Sequence, residues 1–241
     1  MKIAKKVEEK INSIKDGETF TYQQLSIDNS EYQTAAKSIE RLIKKGIIKR
    51  ISPGIFYKPK QTVFGELLPN NEEIIKPYLF KNSKRIAYIT GTLLYNRLGL
   101  TTQIPQTIKI ASRENEIKIN KSNIKAIPAK SYVDVTNNNY QYLEILDAIK
   151  DFKKIQDLNI ENGIIILSNI LKKFKPEEVL KIIKYSLKYP PRTRALLGAL
   201  LEANNLGYNL IELQESLNPL SVYSLGIGKK ILPTIENWKI K

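Results

Sequence analysis

Residues 30–50 carry one apolar face opposite a face without acidic side chains, and run directly into a β-branched stretch and a Pro-Gly turn. No other part of the chain limits the fold as tightly. At about 100° per residue, Leu42, Ala35, Ile39, Ile43 and Ala36 gather on one side, and Tyr32 projects with them toward a core. Gln33, Thr34, Lys37, Ser38, Arg41, Lys44 and Lys45 gather on the other, with Glu40 at the edge and Glu31 in the first turn. This is the amphipathic pattern of a helix resting on a small core. Ser30 and Gln33 have capping-box spacing, and Gly46 suits a helix stop. Solvated helix faces usually mix signs, so an acid-free face of Lys, Arg, Gln, Thr and Ser suits duplex DNA, whose phosphates and base edges take those groups. The plainer alternative is a Lys-rich helix in a Lys-rich chain.

The flanking residues fit a larger unit. Ile3, Val7, Ile11 and Ile14 recur at helical spacing, and Asp16-Gly17 breaks that first helix. Thr21 with Gln24 again has capping-box spacing, starting a short helix over 22–26. After 30–45 come a strand at 47–51, a Ser52-Pro53-Gly54 turn and a return strand, Ile55-Phe56-Tyr57. Three helices and a hairpin in this order predict a winged helix-turn-helix over residues 1–60. Lys49, Arg50 and Lys58 would support DNA from the wing. Residues 61–241 read as a larger α+β domain. A helix at 86–98 has Gly91 between two threonines, where another element would approach closely. Strands at 107–111, 116–120 and 123–127 suggest a small antiparallel sheet, followed by a helical C-terminal half. Trp238 should pack back on the body.

The net charge of +15 points to a polyanionic partner, nucleic acid first and an acidic protein second. Residues 1–60 carry 13 Lys/Arg against 7 Asp/Glu, so the positive charge is densest there. The chain has neither cysteine nor histidine, which removes disulfides, Cys/His zinc sites and imidazole bases. No signal peptide or membrane span is legible, so a cytoplasmic protein is expected. Gly226-Ile227-Gly228-Lys229 lacks the glycine spacing and the Ser/Thr of a phosphate loop and reads as an ordinary loop. Glu116 and Lys118 match half of a metal-dependent nuclease signature, but no aspartate lies between Asp28 and Asp134 to complete a two-metal site. Arg192 and Arg194, two apart at a helix start, are candidates for a phosphate or partner contact. No cofactor, metal ligand or catalytic residue is expected.

Farther along, Tyr88-Ile89-Thr90-Gly91, then Gly99-Leu100-Thr101-Thr102-Gln103-Ile104-Pro105 and the strand after it, resemble the AbiEi family of bacterial antitoxins. Tyr189-Pro190-Pro191-Arg192 and Arg194-Ala195-Leu196-Leu197-Gly198 resemble that family's C-terminal helical segment, and Gly54-Ile55-Phe56-Tyr57 the end of its wing. The resemblance implies a winged helix that binds its own promoter and a larger domain needed to neutralise a nucleotidyltransferase-like toxin, in a system associated with phage defence. It implies a non-enzymatic antitoxin and transcriptional regulator, and carries no catalytic residues. Two alternatives stand beside it: a Mg-dependent nucleic-acid-processing enzyme using Glu116 and Lys118, and a solo regulator without a toxin.

Overall fold

The computed structural model describes residues 3–121 and 124–241, with a mixed α+β fold. The chain divides into two compact units, Met1–Arg85 and Ile86–Lys241. The boundary therefore falls well beyond the residue 60 suggested by the sequence, because residues 60–85 fold onto the N-terminal unit. Thr19 Oγ1 donates to the Glu73 carbonyl at 2.6 Å, and the Ser52 and Tyr78 hydroxyls lie 3.2 Å apart.

The first unit opens with α1 (Ile3–Asn12), whose Val7 and Ile11 are buried. A strand that the sequence reading missed, β1 (Thr19–Thr21), leads into a single 3₁₀ turn, Tyr22–Leu25. Gln24 Oε1 accepts from the Thr21 amide at 2.8 Å, so this half of the expected capping box forms, on a shorter element. Helix α2 (Tyr32–Lys44) begins two residues later than Ser30, after a 3₁₀ turn over Asn29–Glu31, and Ser30 caps nothing at its start. β2 (Lys49–Ser52) and β3 (Ile55–Tyr57) form the expected hairpin. Pro53 presets its own φ and Gly54 takes φ +78°, as such a tight turn requires. β1 pairs antiparallel with the far side of β3, giving sheet order β1-β3-β2. Ala35, Ile39 and Leu42 of α2 pack with Val7, Ile11, Phe20, Leu25, Ile48 and Phe56 into one core. Residues 60–67, which the sequence assigns mostly to the second domain, form a second hairpin of the first unit, β4 (Lys60–Thr62) with β5 (Gly65–Leu67). Then come α3 (Asn71–Ile75), capped by Asn70, and a two-residue ribbon of β6 (Phe80–Lys81) and β7 (Lys84–Arg85).

The second unit corrects two expectations. Residues 86–98 are not one helix: β8 (Ala87–Thr90) is a strand and α4 (Thr92–Arg97) a short helix. All four β8 residues are buried, so the alternation that marks a half-exposed strand is absent. Gly91, at φ +73°, makes the hinge, and a Cβ there would lie 2.9 Å from Lys109 Cδ, the close approach expected of it. The sheet is mixed, not antiparallel. Its order is β10-β11-β9-β8, with β9 (Thr107–Ser112) parallel to β11 (Ile124–Lys130) and β10 (Ile119–Lys121) antiparallel to β11. Asn123, the first residue of the third expected strand, lies outside the described residues. Pro128 is tolerated in β11 because it falls past Ala126, the last residue paired to β10 on that side.

The helical half follows the sequence closely, with α5 (Tyr140–Asp151), α6 (Ile160–Lys173), α7 (Pro176–Ser186), α8 (Pro191–Ala203) and the short α9 (Ile211–Glu215). Apolar faces of α5 to α8 build the larger core. Trp238 is fully buried and packs against α8 where Gly198 leaves room; a Cβ at Gly198 would lie 2.2 Å from the indole ring. Its indole N–H donates to Glu202 Oε2. Among the described residues, no helix is long and apolar enough to cross a membrane.

Candidate nucleic-acid interface

The first unit presents its cations from α2. Gln33, Thr34, Lys37, Arg41, Lys44 and Lys45 are all exposed, and among the described residues none of these four cations forms an ion pair. An ammonium or guanidinium without a carboxylate keeps its full charge for an outside partner. Glu40, at the edge of the face, is also exposed, whereas Glu31 is drawn aside to Lys6 at 3.8 Å.

Other residues expected at this interface fall elsewhere. Ser38 is buried, with its hydroxyl donating to the Thr34 carbonyl at 3.0 Å, so it is lost from the outward set. It lay at the margin of the polar face, and the packing of α2 turns that margin inward. Tyr32 moves the other way: it is 48% exposed, its ring 4.8 Å from that of Tyr22. Because α2 starts at Tyr32, this residue sits on the first turn above the core.

The β2–β3 hairpin carries its cations unevenly. The Arg50 guanidinium lies 5.6 Å from the centre of the Phe56 ring and remains exposed. Lys49 is exposed but reaches Glu66 of β5 at 2.8 Å. Lys58 is taken up inside the unit: its ammonium sits 3.0 Å from Asp16 and donates to the Ile14 carbonyl at 3.2 Å. It ties the end of β3 to the loop after α1 and is not part of the outward face. Sequence spacing could not foresee this, because Asp16 and Lys58 meet only through tertiary folding.

The second unit holds a buried polar group that sequence reasoning missed. Asp147 on α5 is fully buried and accepts from Thr90 Oγ1 at 2.7 Å, Tyr88 Oη at 3.0 Å and Lys150 Nζ at 2.6 Å. Burial pushes the Asp147 carboxyl up, against the pull of Lys150 and the hydroxyl donors. Burial works to lower the Lys150 ammonium, but Asp147 and Asp151 outweigh it and hold the value above the ordinary 10.5. Tyr88, Tyr95 and Tyr189 are all raised, by burial first and nearby carboxylates second. With donors from β8 on Oδ2 and from Lys150 on Oδ1, Asp147 braces α5 against β8. The signal, an Asp-Lys pair three apart amid the apolar stripe of α5, was present in the sequence but looks like a surface pair.

Arg192 and Arg194 stand at the start of α8, both half-buried, and the Nε of each is buried without a hydrogen-bond partner. Glu116 and Lys118 lie outside any strand and are exposed, 3.7 Å from one another. Among the described residues, no three Asp or Glu side chains gather to hold a metal ion. Gly226-Ile227-Gly228-Lys229 is a loop, with Lys229 paired to Glu236 at 2.9 Å.

These features define a two-unit α+β protein whose N-terminal unit combines a cationic helix with short antiparallel hairpins. Its sequence from residue 6 to 179 matches the family described as a family of unknown function, DUF6088, and the chain belongs to that family. No match is found among curated proteins. In fold, the chain is similar to the crystal structure of the Rv2827c protein from Mycobacterium tuberculosis, with a TM-score of 0.51 over 93% of this chain and 85% of that one. At 9% identity the likeness concerns the fold alone.

Proposed function

We propose that this protein is a DNA-binding antitoxin that represses its own operon and counteracts a nucleotidyltransferase-like toxin. On this reading the first unit is a winged helix-turn-helix, α2 its recognition helix and the β2–β3 hairpin its wing. One observation carries the DNA part: Lys37, Arg41, Lys44 and Lys45 project from one helix without a carboxylate on any of them, beside the exposed Gln33 and Thr34. Cations so placed meet phosphates, and the amide and hydroxyl can read base edges. Arg50 would add a backbone contact from the wing. The antitoxin part, the non-enzymatic role and a cytoplasmic location rest on the AbiEi resemblance, with the second unit as the toxin-facing domain and Arg192 and Arg194 as candidate contacts.

The test is a gel shift on the DNA upstream of the protein's own gene. Wild type should bind, and Lys37→Glu with Arg41→Glu should abolish binding while leaving the far-UV spectrum unchanged. Absence of wild-type binding, or equal binding by the double variant, would refute the DNA reading. The antitoxin part is tested separately by the reading frame next to this gene: a nucleotidyltransferase-like protein encoded there should be toxic when expressed alone and relieved by co-expression of this chain, and the absence of such a frame, or of relief, would refute it.

A further inference from the structure

The β4–β5 hairpin ends in two large apolar side chains that touch almost nothing: Val63 is 94% exposed and Phe64 97%. Folding normally hides such groups, and a pair of them at the very tip of a turn marks a contact made with something else. We propose that this tip is an apolar wedge that inserts between base pairs of duplex DNA bound by the same unit. The proposal rests on the DNA-binding reading above and extends it to a second point of contact and to bending of the duplex.

Three observations support it. The tip is built, not loose: Thr62 Oγ1 donates to the Gly65 carbonyl at 2.7 Å and accepts from the Phe64 amide at 3.3 Å, and Gly65 takes φ +106° to close the turn. A wedge must be held in shape before it meets its partner. The hairpin is also fastened to the basic hairpin, since Glu66 takes Lys49 at 2.8 Å and the Tyr57 hydroxyl at 3.2 Å. The Lys49 hydrogen bond holds the Glu66 carboxyl below the usual range. Finally, this latch occupies the one acidic side chain of the hairpin, leaving the exposed Lys60 and Gln61 as its flanks.

That chemistry selects the partner. Leu67 and Leu68, at the end of the same hairpin, are also exposed, but they stand away from the tip, and the four side chains together still fall short of the roughly 800 Å² per partner of a stable protein interface. The tip matches the apolar wedges that part a base step in the minor groove and kink the duplex, with cationic and amide side chains beside them for phosphate.

The experiment compares wild type, Val63→Ser with Phe64→Ser, and Lys37→Glu with Arg41→Glu on circularly permuted fragments of the upstream DNA. Both tip residues are too exposed to matter to folding. Wild type should bend the fragment, and the tip variant should bind at least tenfold more weakly, with the bend lost and the salt dependence kept. If wild type binds and the tip variant binds and bends equally, the wedge is refuted while the DNA reading stands. If wild type ignores DNA, both fall. If the tip variant instead loses self-association in sedimentation with DNA binding intact, the tip is a protein contact and the wedge is again refuted.

Discussion

The two units handle charge in opposite ways. Residues 1–85 carry 17 Lys/Arg against 10 Asp/Glu, and the cations of α2 all face outward over an apolar core. Residues 86–241 carry 22 against 14, nearly the same excess in almost twice the length, and they place one ion pair deep inside. Outward, unpaired charge does little for stability and much for attraction to a polyanion. Inward charge, once committed, makes the fold depend on every member of its network. The first unit thus keeps its cations at the surface, as the proposed DNA contact requires, whereas the second commits a pair to its interior.

The sharpest way to break this contrast is Asp147→Ala. It leaves the Lys150 ammonium only the more distant Asp151, at 3.7 Å, and removes the acceptor for Tyr88 and Thr90, so it should destabilise the second unit by about 3–5 kcal/mol. Trp238 is the chain's single tryptophan and is buried in that unit, so its fluorescence reports the loss in a urea titration. A shift below 1 kcal/mol would mean that the pair is dispensable. Next in size, Gly198→Ala drives a Cβ into the indole ring and should cost about 1–3 kcal/mol by overpacking, with the Trp238 emission itself altered.

Raising the pH probes the same interior. Tyr88, Tyr95 and Tyr189 are held above the tyrosine value of 10.0 and Lys150 above 10.5, so the folded chain binds more protons than the unfolded one beyond that point. Their contribution is fully present below about pH 10 and is lost as the pH rises through the folded values. Urea midpoints should thus fall steeply above pH 10, and Tyr95→Phe should make the fall shallower. The smallest effect belongs to the first unit: Lys37→Ala with Arg41→Ala should change stability by no more than about 0.5 kcal/mol, seen by circular dichroism.

How far the sequence exposed this arrangement depended on distance along the chain. The amphipathic period of α2, the Pro-Gly turn before Ile55 and the helices α5 to α8 are local patterns, and they were legible. The features that failed are tertiary. β8 looked helical because burial on both faces erases its alternation, and the parallel pairing of β9 with β11 leaves no local mark. Lys58 was expected outside because Asp16, its partner, lies more than forty residues earlier. Ser38 and Tyr32 exchanged places because both lie at a margin: Ser38 is one step from Leu42 around the helix and packs inward, while Tyr32, in the first turn, lies against Tyr22 at the rim of the core. The inner pair of Asp147 and Lys150 resembles a surface pair until the strand that covers it is known.

The central claim is that the outward cations of α2 meet DNA phosphates, and salt dependence tests it most directly. The logarithm of the binding constant for the upstream duplex should fall linearly with the logarithm of salt concentration, by about 0.9 per phosphate contacted. Lys37→Ala with Arg41→Ala should therefore flatten the slope by roughly two. A wild-type chain that binds no DNA, or a double variant with an unchanged slope, would contradict it.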